Sequence, residues 1–184
     1  MPIVIAVIVI IILIPVLIFN SLIGKKNQAL NVFSTIDVLL KKRYDLIPNL
    51  VSTVKGYAKH ERQLLQQITE IRAMALGSTS HDEQVALDSD LTKALSRLML
   101  VVENYPQLKA SDNFMHLQRT LTELEEQISA ARRAYNASVT DYNNAVEMFP
   151  TNIVASMIRY QRRKFFEIPR QQRQNVDAGK QLGT

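Results

Sequence analysis

Hydrophobic positions begin as a solid block and then thin into helical stripes. Pro2 to Phe19 is an unbroken apolar run, extended by Leu22 and Ile23 past Asn20 and Ser21. About 20 such residues suffice to cross a hydrocarbon core of roughly 30 Å. No charged side chain lies in residues 1–24. A cleavable leader needs a basic start and a small-residue cleavage site, and neither is present, so the run reads as a retained transmembrane anchor. Its β-branched residues and Pro15 predict a kinked helix, because lipid forces backbone hydrogen bonds to close internally.

Beyond the anchor the period is 3–4 residues, the mark of amphipathic helix. Lys25–Tyr44 carries Leu30, Phe33, Ile36 or Asp37, and Leu40 along one side. Asp45 is placed to cap a new helix with Pro48 in its first turn, which predicts a kink or a break near Asp45. The next stripe runs from Ile47 through Leu50/Val51, Val54, Tyr57/Ala58, Leu64/Leu65, Ile68 and Ile71 to Ala75, and Gly77-Ser78-Thr79 ends it. Ser80-His81-Asp82-Glu83 has the form of a capping box. It opens a helix with Val85, Leu91, Leu95, Leu98, Val102 and Tyr105, which stops at Pro106.

The most regular pattern starts near Ser111. Phe114, Leu121, Ile128, Tyr135, Tyr142 and Phe149 recur every seventh residue, with Leu117, Leu124, Ala131, Ser138 and Ala145 between them. That is a coiled-coil-grade seam, and its ~38 residues predict a rod of roughly 57 Å. Pro150 ends it, Thr151 is placed to cap a short last helix to about Tyr160, and the polar, Gln-rich stretch after Pro169 is expected to be disordered. Long helices joined by short loops pack most simply as an up-and-down antiparallel bundle. The expected fold class is therefore all-α: an anchor over 1–24, a bundle over 25–168 and a tail over 169–184. Five Gly and six Pro in 184 residues agree, leaving too few turns for a sandwich or a βαβ sheet.

The absence of Cys excludes disulfides, thiolate metal sites and cysteine nucleophiles. Residues 1–150 balance fifteen cations against fifteen anions, so the net charge of +5 lies wholly in residues 151–184. This favours a local basic patch over nucleic-acid binding. Lys25 and Lys26 follow the anchor and nothing but the terminus precedes it, which predicts an outside N-terminus and a cytoplasmic bundle. Lys25, Lys26, Lys41, Lys42, Arg43, Arg162, Arg163 and Lys164 are the candidates for lipid-headgroup contact. Ile153, Val154, Met157 and Ile158, followed by Phe165 and Phe166 among basic residues, have the make-up of an interfacial segment. The rival reading is that this apolar side caps the bundle. Tyr105, Tyr135 and Tyr142 fall on seams, with Asn104, Asn136 and Asn143 as candidate hydrogen-bond partners.

Catalytic motifs are sparse. His60-Glu61 opens a zincin-like pattern, but the second ligand belongs one turn later and Leu64 stands there. Glu61, in phase with Val54 and Ile68, is expected to be partly buried and paired. No G-x-S-x-G, P-loop or G-x-G-x-x-G motif occurs. No catalytic, metal or cofactor residue is assigned and no cofactor is expected. The leading reading is a non-enzymatic, self-assembling scaffold. The alternatives are an accessory enzyme with a cryptic carboxylate or metal site near His60 and Glu61, and a membrane-anchored signalling adaptor.

Three blocks carry a family likeness: Ser34-Thr35-Ile36-Asp37 through Tyr44-Asp45-Leu46-Ile47-Pro48-Asn49-Leu50-Val51 with Val54-Lys55-Gly56-Tyr57-Ala58 and His60-Glu61; Glu103-Asn104-Tyr105-Pro106-Gln107-Leu108-Lys109-Ala110 with Asn113-Phe114; and Ala131-Arg132-Arg133-Ala134-Tyr135-Asn136, Asp141-Tyr142-Asn143 and Phe149-Pro150-Thr151-Asn152. In order and spacing the chain resembles the LemA family of bacterial membrane proteins over residues 1 to about 168. It departs from the pattern at Phe33, where Trp is usual, and at Met157–Tyr160, which replaces a Gly-Phe pair. The resemblance implies a single-pass protein of the bacterial inner membrane with a helical bundle and no established enzymatic activity. It also implies an association with membrane-bound zinc metalloproteases of the heat-shock type, and so with membrane quality control or envelope organisation.

Overall fold

The computed structural model describes residues 1–166, and the expected tail over 169–184 lies outside them. All regular structure among these residues is helical: α1 (Pro2–Tyr57), a 3₁₀ turn (Lys59–Glu61), α2 (Arg62–Gly77), α3 (His81–Val102), α4 (Pro106–Lys109), α5 (Asp112–Glu147) and α6 (Thr151–Met157). α1 is the one described helix long and apolar enough to cross a membrane. Its residues 2–17 are exposed all round, and from Ala29 onward it buries one stripe: Phe33, Ile36, Leu40, Tyr44, Ile47, Leu50 and Val54. Leu30, expected on that stripe, points outward.

The break expected near Asp45 does not occur. Pro48 has no amide to donate to the Tyr44 carbonyl, the partner an α-helix would give it. That carbonyl accepts instead from Arg72 Nε of α2 at 2.7 Å. A side chain 28 residues away thus replaces the missing backbone bond, and α1 continues through Pro48.

α1 rises through the bundle, α2 returns beside it, α3 rises against α2, and α5 descends along the part of α1 that follows the apolar run, in the most extensive of the packings. Antiparallel register is fixed by Phe33 against Tyr135, ring centroids 5.6 Å apart, and by Arg43 against Glu125. The heptad positions Phe114, Leu121, Ile128, Tyr135 and Tyr142 are all buried, as are Leu117, Leu124, Ala131 and Ser138 between them. The helix stops at Glu147, so Phe149 falls off the seam and is exposed. At 36 residues α5 is about 54 Å long.

Caps differ from expectation in three places. At the start of α3 the Ser80 side chain makes no cap bond among the described residues; Ser78 Oγ donates to Glu83 Oε2 at 2.6 Å instead. Thr151 does not cap α6, and its hydroxyl donates back to the Met148 carbonyl. α6 ends at Met157 rather than Tyr160. Its end is closed by Arg159 N–H to Ser156 O at 3.1 Å and Tyr160 N–H to Ala155 O at 2.9 Å, with Arg159 left-handed at φ 57°. This is the Schellman pattern, with Arg in the position glycine usually takes.

Two measurements test this architecture. Ile128 is fully enclosed, so Ile128→Asp should abolish cooperative unfolding followed by circular dichroism, because an unpaired buried ion costs several kcal/mol. Glu126→Lys, on the exposed side of α5, should be nearly neutral. Arg72→Met should destabilise by about 1–3 kcal/mol by stranding the Tyr44 carbonyl. In a Pro48→Ala background, where the backbone amide is restored, the same change should cost much less.

Candidate functional site

Polar and charged chemistry gathers at two levels of the bundle. The upper one is interior. Asp88 of α3 is fully enclosed, yet it stands between two arginines that are themselves buried, Arg43 of α1 and Arg132 of α5. Arg43 Nη1 donates to Asp88 Oδ1 at 3.1 Å and to Glu125 Oε2 at 2.7 Å, and its Nη2 donates to Thr92 Oγ1 at 2.7 Å. Thr92 in turn donates to the Asp88 carbonyl. Arg132 Nη2 pairs with Asp88 Oδ2, and the Arg132 guanidinium lies 4.9 Å over the Phe166 ring. Two cations and two anions therefore neutralise one another across three helices.

Burial is the largest influence on the Asp88 carboxyl and raises its proton affinity, against the pull of Arg43 and then Arg132. Burial likewise pushes the Tyr44 phenol well above its ordinary range, aided by the Asp88 charge. Among the described residues the Tyr44 hydroxyl and Arg132 Nε have no hydrogen-bond partner. With Asp88 enclosed and guanidinium donors of both arginines taken up by Asp88, Glu125 and Thr92, the cluster ties three helices together at one register.

Arg43 is thus withdrawn from the candidate headgroup contacts, since it faces the bundle interior. Lys41 and Lys42 are exposed, and the unbroken helix carries Lys41 about 24 Å beyond Lys25. The sequence stripe could have revealed the cluster: Asp88 falls in phase between Val85 and Leu91/Leu95, a carboxylate on a buried face.

The lower level lies where the bundle meets the apolar run. Lys26 Nζ stands 4.8 Å over the Tyr160 ring, and Tyr160 lies against Tyr142. Arg163 lies over the Tyr142 ring, and Arg162 Nε pairs with Glu147 at 3.0 Å. Beyond α6 the chain runs up α5 as an extended strap, held at two points. Asn143 Nδ2 donates to Arg163 O and its Oδ1 accepts from Arg163 N–H, at 3.0 and 2.9 Å. Asn136 does the same with Phe166, at 3.0 and 2.7 Å. These asparagines therefore grip backbone rather than the neighbouring tyrosines. Tyr135 donates to the Lys164 carbonyl, which lifts Lys164 to the level of Phe33. Tyr105 pairs with Glu61, not with Asn104.

Glu61 is half-buried and accepts from the Tyr105 hydroxyl at 3.4 Å, while His60 is exposed on the 3₁₀ turn. Among the described residues no three His, Asp or Glu converge as a metal site.

An exposed apolar helix that continues without a break into the core of a four-helix bundle defines the class: a membrane-associated helical-bundle protein. Residues 32–178 match the LemA family, and the chain belongs to it. It is 28% identical over 161 residues to protein LemA of Metamycoplasma hominis, covering 86% of this chain and 73% of that protein. It is 24% identical over 175 residues to magnetosome protein MamQ 2 of Paramagnetospirillum magneticum, covering 81% of this chain. Magnetosome protein MamQ of Magnetospirillum gryphiswaldense is similar at 24% over 174 residues, covering 80% of this chain. The chain spans 64% of the length of either MamQ protein.

Asp88→Asn should destabilise by about 3–5 kcal/mol at neutral pH, since it leaves two buried arginines short of an anion. A carboxyl whose folded-state pKa is raised takes up its proton more readily in the native state, so acidification through that window favours folding at this group. Asn cannot titrate, so wild type should gain on the variant as pH falls through that window, and the gap should widen, as read from denaturant midpoints across a pH series.

Proposed function

We propose that this chain is a single-pass scaffold of a bacterial inner membrane, presenting a rigid bundle at the cytoplasmic face, binding lipid and other membrane proteins, and assembling with itself without chemistry of its own. The observation that carries this is the continuity of α1. One 56-residue helix supplies both the apolar run and a wall of the bundle core, so a partner docked on the bundle is held at fixed height and orientation over the bilayer. Lys25 and Lys26 at the end of the run support cytoplasmic placement. Pairing of the interior charges among themselves supports a structural rather than a catalytic use. A membrane-bound metalloprotease of the kind the family resemblance suggests is one partner such a platform would suit.

A reporter active only in the cytoplasm should work when fused after Thr184, and one active only outside should not; the reverse pattern would overturn the placement. Size measurement of the full chain in mild detergent should give an oligomer, and a monomer at every concentration would remove self-assembly from the reading.

A further inference from the structure

We infer that the α5–α6 corner is a second membrane contact, inserting beside the anchor into the interfacial layer of a phospholipid bilayer. The inference rests on the reading of α1 as a transmembrane anchor.

Its first support is height. The antiparallel register sets Phe33 against Tyr135, and seven residues nearer the membrane it sets Lys26, through Tyr160, against Tyr142. Each residue down α5 thus matches one down α1. Glu147, the last residue of α5, falls level with Ser21, and the Met148-Phe149 corner falls level with Asn20 and Phe19. From Pro2 to that level is a rise of about 27 Å, close to the thickness of a hydrocarbon core. The corner therefore sits at the edge of the layer that α1 is long enough to cross.

The second support is chemistry. Met148 is 62% exposed, Phe149 80%, Ile153 52% and Met157 79%. Single apolar residues on a surface need no explanation, but a cluster at one end does. Ile153 and Met157 stand four apart and share one face of α6. On the inner side Ala155 is enclosed, and α6 packs against both α1 and α5. Leu22 has no exposed surface either, although the run before it is bare. The corner is thus joined to the end of the anchor, and its outer face extends the anchor's apolar surface sideways. Arg159 and Arg162 flank it, and both are exposed. Apolar side chains at the acyl boundary with cations at headgroup height is the arrangement of an interfacial segment. The segment therefore divides its labour: Ala155 and Phe166 cap the bundle, and the opposite face meets lipid.

A bilayer fits this face better than a second copy does. The patch ends at the height of the hydrocarbon edge, and a partner chain there would itself have to be membrane-embedded.

The chain contains no Trp, so a single introduced Trp reports its own surroundings. Full-length Phe149→Trp, Leu13→Trp and Leu100→Trp proteins, reconstituted in vesicles of phosphatidylcholine and phosphatidylglycerol, would be quenched with brominated phospholipid and, separately, with aqueous iodide. Leu13 lies in the apolar run and Leu100 on the exposed side of α3. The expected result is blue-shifted emission and lipid quenching at positions 13 and 149, with iodide quenching only at 100. If 149 responds to iodide like 100 while 13 is quenched by lipid, the second contact is wrong and the anchor stands. If 13 escapes lipid quenching, the anchor reading fails and the inference with it. If 149 is shielded from both quenchers, the corner faces protein and the bilayer is the wrong occupant.

Discussion

Pro48 removes the amide that would close the Tyr44 carbonyl, and Arg72 supplies the replacement. Without it, an unpaired carbonyl would sit at a helix position already crowded by the pyrrolidine ring, the usual setting for a kink. With it, the helix stays whole and α2 is pinned to α1 at the same point. What depends on that bond is the part of α1 beyond Pro48, whose Leu50 and Val54 stay on the buried stripe begun by Phe33 and Ile36.

The Asp88 cluster does for lateral position what α1 does for height. Apolar seams tolerate sliding because one Leu resembles the next. A buried carboxylate that must meet two guanidiniums does not, since a slip of one turn strands charges in a medium that penalises them heavily. Three helices that meet mainly through aliphatic stripes are thereby locked in one register. Phe166 under Arg132 brings the C-terminal strap into the same lock.

Much of this was legible in the residues. Seven-residue spacing from Phe114 to Tyr142 located α5 and its buried face, and the uncharged block before Lys25 located the apolar helix. The failures at the caps were local, but the larger ones share a cause, which is that the deciding partner lay far away in sequence. Asp45 and Pro48 form a sound local signal for a break, overridden by a side chain from α2. Arg43 reads as part of a basic run until α3 presents Asp88 to it. Asn136 and Asn143 stood out as a pair, but their partners are backbone groups of the strap, which carry no side-chain signature to search for. The exposed face of the corner was only half visible, because α5 ending at Glu147, rather than at Phe149, is what turns Phe149 outward.

The two asparagine clamps sit seven residues apart on α5, and the groups they hold sit three apart on the strap. Seven helical residues span about 10.5 Å and three extended ones about 10 Å, so both clamps close in phase. A strap shifted by one residue would be out of step at both points together. Residues 163–166 are therefore held in a single register along α5, and that register is what sets Phe166 under the Arg132 guanidinium.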